Sequence, residues 1–292
     1  MADARPKKSV LITGATDGLG KASAILFAQR GYRVFAAGRS PEKRAQLDAL
    51  AAARNLALET LPLDVCDDAS VQQTVSNVLA KAGAIDVLFN NAGVNYSAAV
   101  EDLRLEDWRR QFETNFFGVL RVTQAVTPHM RERRRGRVLM MSSVSGFVTA
   151  PTQGAYSSSK FAVEAMSNAL RLELYPFNIQ VILIEPGYIV TGIQQAAMDL
   201  SKPYLEKMNS GPYAPLYARF LASVTKSRTA SETTPEDCAR VVLKAAEARN
   251  PKVRYTVTRL AFVAKWLKRL LSDRAVDAIF RRRFGITRQP GS

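Results

Sequence analysis

Tyr156 and Lys160 stand one helical turn apart, and Ser143 lies thirteen residues before the tyrosine. A phenol can move a proton, a nearby ammonium favours its ionised form, and a hydroxyl can hold a substrate oxygen. Near the N-terminus the run Thr13-Gly14-Ala15-Thr16-Asp17-Gly18-Leu19-Gly20 has the glycines of a loop that cradles a dinucleotide. Glycine lets the backbone approach a pyrophosphate, and the helix that follows offers free N–H groups and the positive end of its dipole. Together these residues point to nicotinamide-dependent carbonyl or alcohol chemistry. A Tyr-x-x-x-Lys pair is weak by itself, and its weight comes from the elements around it.

Those elements follow from hydrophobic periodicity. Residues 10–13 read as a strand, 18–29 as a helix stopped by Gly31, and 33–37 as a second strand. Ser40-Pro41 is a cap with proline at the first helical position, opening a helix to about Arg54. Residues 56–61 are strand-like, 68–82 helical, and 87–89 a fourth strand ending at Asn90-Asn91-Ala92-Gly93. A long helix is expected over about 105–134, then strand 137–141, helix 155–174 and strand 179–184, ended by Pro186-Gly187. Near-continuous apolar strands alternating with helices predict an α/β fold, a Rossmann-type doubly wound parallel sheet with helices on both faces. One domain over 1–258 is expected, with a cofactor-binding part at about 8–190 and a helical substrate lid at about 191–235. A basic amphipathic extension follows at 259–292.

The glycine spacing is G-x-x-x-G-x-G rather than the commoner G-x-G-x-x-G. The second strand ends in Ala36-Ala37-Gly38-Arg39, with no acid to take the ribose hydroxyls of NAD(H). Arg39 suits a 2′-phosphate, so NADP(H) is preferred over NAD(H). The competing reading makes Arg39 a solvated loop residue before the Ser40 cap.

With these motifs in order, the chain resembles the short-chain dehydrogenase/reductase family. The resemblance rests on residues 13–20, Asp64-Val65, Asn90-Asn91-Ala92-Gly93, Asn115, Ser142-Ser143, Tyr156 to Lys160, and Pro186-Gly187 with Thr191. It implies that Tyr156 is the acid in reduction and the base in oxidation, and that Ser143 holds the substrate oxygen. Lys160 would acidify the phenol, and Asn115 would hold a water in a proton relay reaching Lys160. Bringing a tyrosine from its ordinary value to neutrality requires about 4 kcal/mol. An ammonium ~4 Å away supplies roughly that at an effective dielectric near 20. The resemblance further implies cofactor contacts at Gly14, Thr16, Asp17, Gly18, Leu19, Gly20, Arg39, Asp64, Val65, Asn91, Ala92, Gly93, Tyr156, Lys160, Pro186, Gly187, Ile189 and Thr191. For Asn90 and Asn91 a plain loop-tying role stands beside it. Hydride passes directly between nicotinamide and substrate, with no metal implied.

The texture of residues 88–94, 137–146 and 175–177 is similar to the hydroxysteroid and retinol dehydrogenase branch, which implies a bulky apolar substrate. Ser143, Ser145, Phe147, Tyr96 and Tyr188, with Asn95, are the expected pocket walls. Met198, Tyr204, Leu205, Tyr213, Tyr217 and Phe220 recur at helical spacing in the lid, either as packing on the sheet or as a cover over substrate. An acyl or other lipid ketone reductase is the alternative enzyme, and a catalytically quiet NADP(H)-binding sensor or scaffold the alternative class. An intact Ser143, Tyr156, Lys160 and Asn115 speaks against the latter.

Composition bounds the rest. At 292 residues and 47% hydrophobic, the chain can bury a substantial core. Cys66 and Cys238 form no disulfide framework, which makes a reducing, cytoplasmic setting the default. The single histidine, His129, excludes a Ser-His-Asp triad and is expected at the surface near a helix end. The basic residues at 1–8 lead into a first strand rather than a signal peptide, and no apolar run is long enough for a transmembrane helix. Residues 252–288 hold eleven Lys or Arg against Asp273 and Asp277, a balance of +9 within a net charge of +15. There Leu260, Val263, Trp266, Leu267, Leu270 and Leu271 form an apolar stripe flanked by Lys265, Lys268 and Arg269. Three readings remain: a helix packed on the body or a second subunit of a homo-oligomer, a peripheral membrane contact through 259–284, or nucleic acid. No reading motif accompanies the charge, so nucleic acid is not expected.

Overall fold

The computed structural model describes residues 8–189, 192–206, 211–230 and 233–288. Thr191, expected at the nicotinamide, lies outside them. Strand and helix alternate through β1 (Ser9–Thr13), α1 (Gly18–Gln29), β2 (Arg33–Gly38), α2 (Pro41–Ala53), β3 (Leu58–Pro62), α3 (Asp68–Ala82) and β4 (Val87–Asn90). There follow α4 (Leu105–Phe112), α5 (Gly118–Glu132), β5 (Gly136–Met141), α6 (Gly154–Leu174), β6 (Ile179–Glu185), α7 (Gly192–Leu205) and α8 (Ala214–Ala230). The chain closes with α9 (Pro235–Glu247), β7 (Arg254–Thr256), α10 (Arg259–Leu270) and α11 (Asp273–Phe284). The seven strands form one sheet of order β3-β2-β1-β4-β5-β6-β7, every neighbouring pair parallel. The order reverses between β1 and β4, and a crevice at the carboxyl ends of strands flanking such a reversal is where doubly wound sheets take ligands.

Successive strand residues point to opposite faces, so each face carries its own apolar cluster. Leu11, Phe35, Leu88 and Val138 lie on one side, and Ile12, Val34, Phe89 and Ile182 on the other. Each such side chain contributes about 1.5–3 kcal/mol by leaving water, and this rigid slab sets the positions of the strand ends. A third cluster, including Tyr96, Leu103, Tyr204, Tyr217, Phe220 and Phe284, packs α7 and α8 against the 94–108 segment and α11.

The expected Ser40 cap forms, its side chain accepting from the Lys43 N–H, and Gly83 ends α3 at φ 70. The expected helix 105–134 is interrupted by a π turn at Glu113–Phe117 and ends at Glu132. Two elements went unanticipated. Helix α9 opens with a capping box between Thr234 and Asp237, a signal present in the sequence, and packs on α1 through an Arg30–Glu247 ion pair. Strand β7 has only three residues, all half-buried, and so carries no readable period. His129 is half-buried rather than at the surface, and its Nε2 is enclosed without a hydrogen-bond partner.

Helix α10 inverts the expected packing on the body. Its inward face carries Ala261, which is fully buried, while Leu260, Val263, Trp266, Leu267 and Leu270 are exposed. Lys265 turns inward to Glu185 at 2.7 Å, and Lys268 pairs with Asp273. One buried anion of the body, Glu185, thus takes a cation from the inward side of α10, and the apolar stripe lies on the other side. Among the described residues no helix is long and apolar enough to cross a membrane.

Candidate active site

The glycine loop runs from the end of β1 to the start of α1, beside the sheet reversal. Gly14 adopts φ +62, and a Cβ there would stand 2.9 Å from the Ala92 Cα. A Cβ on Gly20 would collide with the Gly14 carbonyl and stand 2.6 Å from Asn91 Nδ2. The loop is therefore folded tightly onto the end of β4, where only glycine fits. Asn91 ties it down: its Nδ2 donates to the Thr13 carbonyl at 3.0 Å and the Gly14 carbonyl at 3.1 Å. Thr13 Oγ1 accepts from the N–H groups of Asn91 and Ala92. Asn91 thus takes the loop-tying role, as does buried Asn90, whose Nδ2 reaches Thr123 Oγ1 at 2.9 Å. Asp17 caps α1 through the Gly18 N–H at 2.7 Å and pairs with Lys43, which with burial opposing holds its carboxyl below the usual range.

Thr16 packs against Gly38 at the end of β2, and exposed Arg39 follows immediately. Asp64 and Val65 follow β3: Asp64 accepts from the Cys66 N–H at 3.0 Å, and buried Val65 presses on Gly118. This crevice, with a helix N-terminus, bare glycine backbone and a cation beyond β2, has the features a dinucleotide needs.

Ser143 lies two residues beyond β5 and is buried, its Oγ accepting from the Ser145 N–H at 3.1 Å. Helix α6 brings Tyr156 beside it, close enough for the Ser143 hydroxyl to favour the ionised phenol. Lys160 is buried one turn along, its Nζ 5.7 Å from the Tyr156 ring centre and donating to the Met141 carbonyl at 2.8 Å. The structure brings the three residues together. Burial pushes the Tyr156 phenol up, against the Ser143 hydrogen bond. Burial also brings the Lys160 ammonium down to about 8, with Glu164 opposing. The lysine Nζ thus uses one of its three donors on a backbone carbonyl and stands over the tyrosine ring.

Asn115 sits in the π turn, a geometry frequent at functional sites, with no exposure. Its Oδ1 accepts from the Val94 N–H at 2.8 Å, and its Nδ2 donates to the Val94 carbonyl and to Ser159 Oγ at 3.1 Å. It thereby fastens the segment after Gly93 to α6.

Behind Lys160 stands a set of charges that sequence reasoning missed. Glu164, the next residue of that helix face, accepts from Ser142 Oγ at 2.5 Å and pairs with Arg254 at 3.0 Å. Arg254 also pairs with buried Glu185 at 3.0 Å, and Glu185 with Lys265 at 2.7 Å. Signs alternate from Lys160 to α10. The four-residue spacing from Lys160 could have revealed Glu164; Arg254, on β7, left no such signal.

Of the remaining expected contacts, Pro186 accepts from the Val144 N–H at 2.8 Å, and Gly187 abuts Thr258. Ile189 is buried in the core cluster. Ser145, Phe147 and Tyr188 are half-buried near Ser143 in sequence or fold, with Lys265 5.7 Å over the Phe147 ring. Tyr96 is instead buried in the cluster under α7 and α8, its N–H held by Gln111. Between residues 149–154 and α11 opens a cleft of about 640 Å3, lined by Val100, Pro151, Gly154, Phe280 and Ile286 among others.

Comparison with known proteins agrees with this arrangement. The family profile for short chain dehydrogenase matches residues 8–200. The chain is 35% identical to a 3-ketodihydrosphingosine reductase of Bacteroides thetaiotaomicron, over 87% of this chain and 89% of that protein. It is also 35% identical to retinol dehydrogenase 8 of Bos taurus, over 89% and 84%. Among solved structures, a short chain dehydrogenase/reductase of Burkholderia phymatum in complex with NAD superposes with TM-score 0.78 at 24% identity, covering 98% of both chains. Serine dehydrogenase complexed with NADP+ gives TM-score 0.72 at 26% identity, covering 85% of this chain and 93% of its own. The chain belongs to the short-chain dehydrogenase/reductase family, with likeness to the retinol and hydroxysteroid branch. It is an oxidoreductase of a family whose structural neighbours bind NAD or NADP.

Proposed function

We propose that the protein interconverts a ketone and a secondary alcohol on a bulky apolar substrate such as a steroid, a retinoid or a long-chain lipid ketone, using NADP(H). The observation that carries this reading is the convergence of Ser143, Tyr156 and Lys160 at the start of α6, with Ser143 and Lys160 buried and the Lys160 Nζ 5.7 Å from the Tyr156 ring centre. Two hydroxyls already within reach of each other can both turn to one carbonyl oxygen. The bound nicotinamide supplies the hydride to the carbonyl carbon. Tyr156, kept protonated by burial, donates its proton to the oxygen; Ser143 donates a hydrogen bond to the charge developing there. Lys160 takes up its role in stabilising the phenolate that remains, and Asn115 holds the loop and helix between which a water relay to Lys160 would run.

Arg39 would grip the 2′-phosphate, and the glycine loop with Asp64, Val65, Ala92, Gly93 and the 186–191 segment would hold the rest of the dinucleotide. Apolar Phe147 and Tyr188, together with the lid helices, favour a bulky substrate, in keeping with relatives named for 3-ketodihydrosphingosine and for retinol. We assign it to the cytoplasm as a homo-oligomer; its two cysteines are free thiols.

The test is Tyr156→Phe. Loss of general acid catalysis costs about 10²–10⁴-fold in turnover, while NADPH binding, followed by its fluorescence, stays close to wild type. Turnover retained at the wild-type rate would overturn the assignment.

A further inference from the structure

Helix α10 leaves a continuous apolar face in water. Leu260, Phe262, Val263, Trp266, Leu267 and Leu270 are between 41% and 75% exposed. At about 100° per residue these six fall within an arc of roughly 160° on one side of the helix. Scattered exposed apolar residues are ordinary, but a contiguous face of this kind marks a contact surface. The face cannot roll inward. On the opposite side Ala261 is buried against Gly187, the Thr258 cap accepts from the Ala261 N–H at 3.1 Å, and Lys265 is held by Glu185. The helix is thus fixed with its apolar side outward.

We propose that this face docks on an anionic phospholipid bilayer, lying in the interface plane. Charge selects this occupant. Arg269 borders the apolar arc, Arg259 stands within it at the first turn of the helix, and Arg281, Arg282 and Arg283 are exposed on neighbouring α11. Asp273, the nearest acid, is engaged by Lys268. A second copy placed face to face would bring a +9 segment against its own like, whereas anionic headgroups complement it. Aromatic and leucine side chains on one face with arginines at its edge are the pattern of an interfacial helix. Phe262 and Trp266 pack edge to face at 6.2 Å, and the Arg269 guanidinium lies 5.8 Å over the Trp266 ring, so the aromatic pair and its cation form one unit at headgroup depth. Helix α11 also walls the cleft beside residues 149–154. If the reaction proposed above holds, docking sets that cleft at the lipid surface, where an apolar substrate is concentrated.

The experiment needs neither substrate nor turnover, so its result is independent of the assigned reaction. In a Trp108→Phe background, which leaves Trp266 as the only tryptophan, the full chain is mixed with vesicles of phosphatidylcholine with phosphatidylglycerol, or of phosphatidylcholine alone. The expected result is co-sedimentation with the anionic vesicles, a blue shift of Trp266 emission and its quenching by brominated acyl chains. Phe262→Glu with Leu267→Glu weakens binding by about tenfold or more, with circular dichroism and NADPH binding unchanged. Should that pair disturb folding, Leu270→Glu, at the most exposed of the six positions, replaces it. Three results each overturn the proposal: no binding to anionic vesicles at low ionic strength, binding that these variants leave intact, or a dimer in solution that the same variants dissociate.

Discussion

Lys160 is a cation in a place that disfavours cations. Burial lowers it to about 8, and Glu164, one turn along α6, is what opposes that fall. Glu164 is itself pushed above the usual carboxylate range by burial, countered by hydrogen bonds from Ser142 and Arg254. If reduction requires the Lys160 ammonium, its rate falls as pH rises through the lysine value. Removing the Glu164 charge lowers that value further, so Glu164→Gln should move the alkaline limb of the pH–rate profile to lower pH, and Glu164→Asp should restore part of it. An unchanged profile would assign Glu164 to packing alone. Arg39 tests the other end of the site. It stands exposed after β2, where an acid would favour NAD(H). Arg39→Ala should weaken NADPH about tenfold or more, the scale of one lost charge-assisted contact, and leave NADH nearly unchanged. Equal losses for both, measured by KM, would end the 2′-phosphate role.

At the scale of elements, the site is held by side chains that clamp loops to helices. Gln111 and Asn115, both without exposure, grip residues 94–96. The lid is clamped in the same way. Tyr217 of α8 donates to Asp102 at 2.6 Å and accepts from the Ala99 N–H at 3.0 Å, and Ser201 of α7 accepts from the Ser97 N–H. Packing, one of the two readings open for this region, is therefore evident. Tyr217→Phe leaves a buried N–H unpaired at a cost of about 1–3 kcal/mol. Thermal unfolding should register it as a fall of several degrees, at about 2–4 °C per kcal/mol for domains of 150–250 residues. A melting temperature equal to wild type would mean that water replaces the hydroxyl. Such clamps had no sequence signature, whereas helix starts did: Ser40-Pro41 could be read in advance because a cap acts within four residues.

For the molecule as a whole, what sequence alone determined was the alternation of strands and helices, the glycine loop, and the candidate site residues Ser143, Tyr156 and Lys160. These depend on short-range periodicity, on backbone freedom at glycine, and on spacing along one helix, all of which a linear string records. The tertiary structure alone decided two things: that Arg254 reaches Glu164 across ninety residues, and that α10 faces its apolar side outward. Each depends on which distant charges and carbonyls share a low-dielectric interior. The hydrophobic pattern of α10 could say that one side is apolar, but only the buried Glu185 drawing Lys265 inward determined which side meets water.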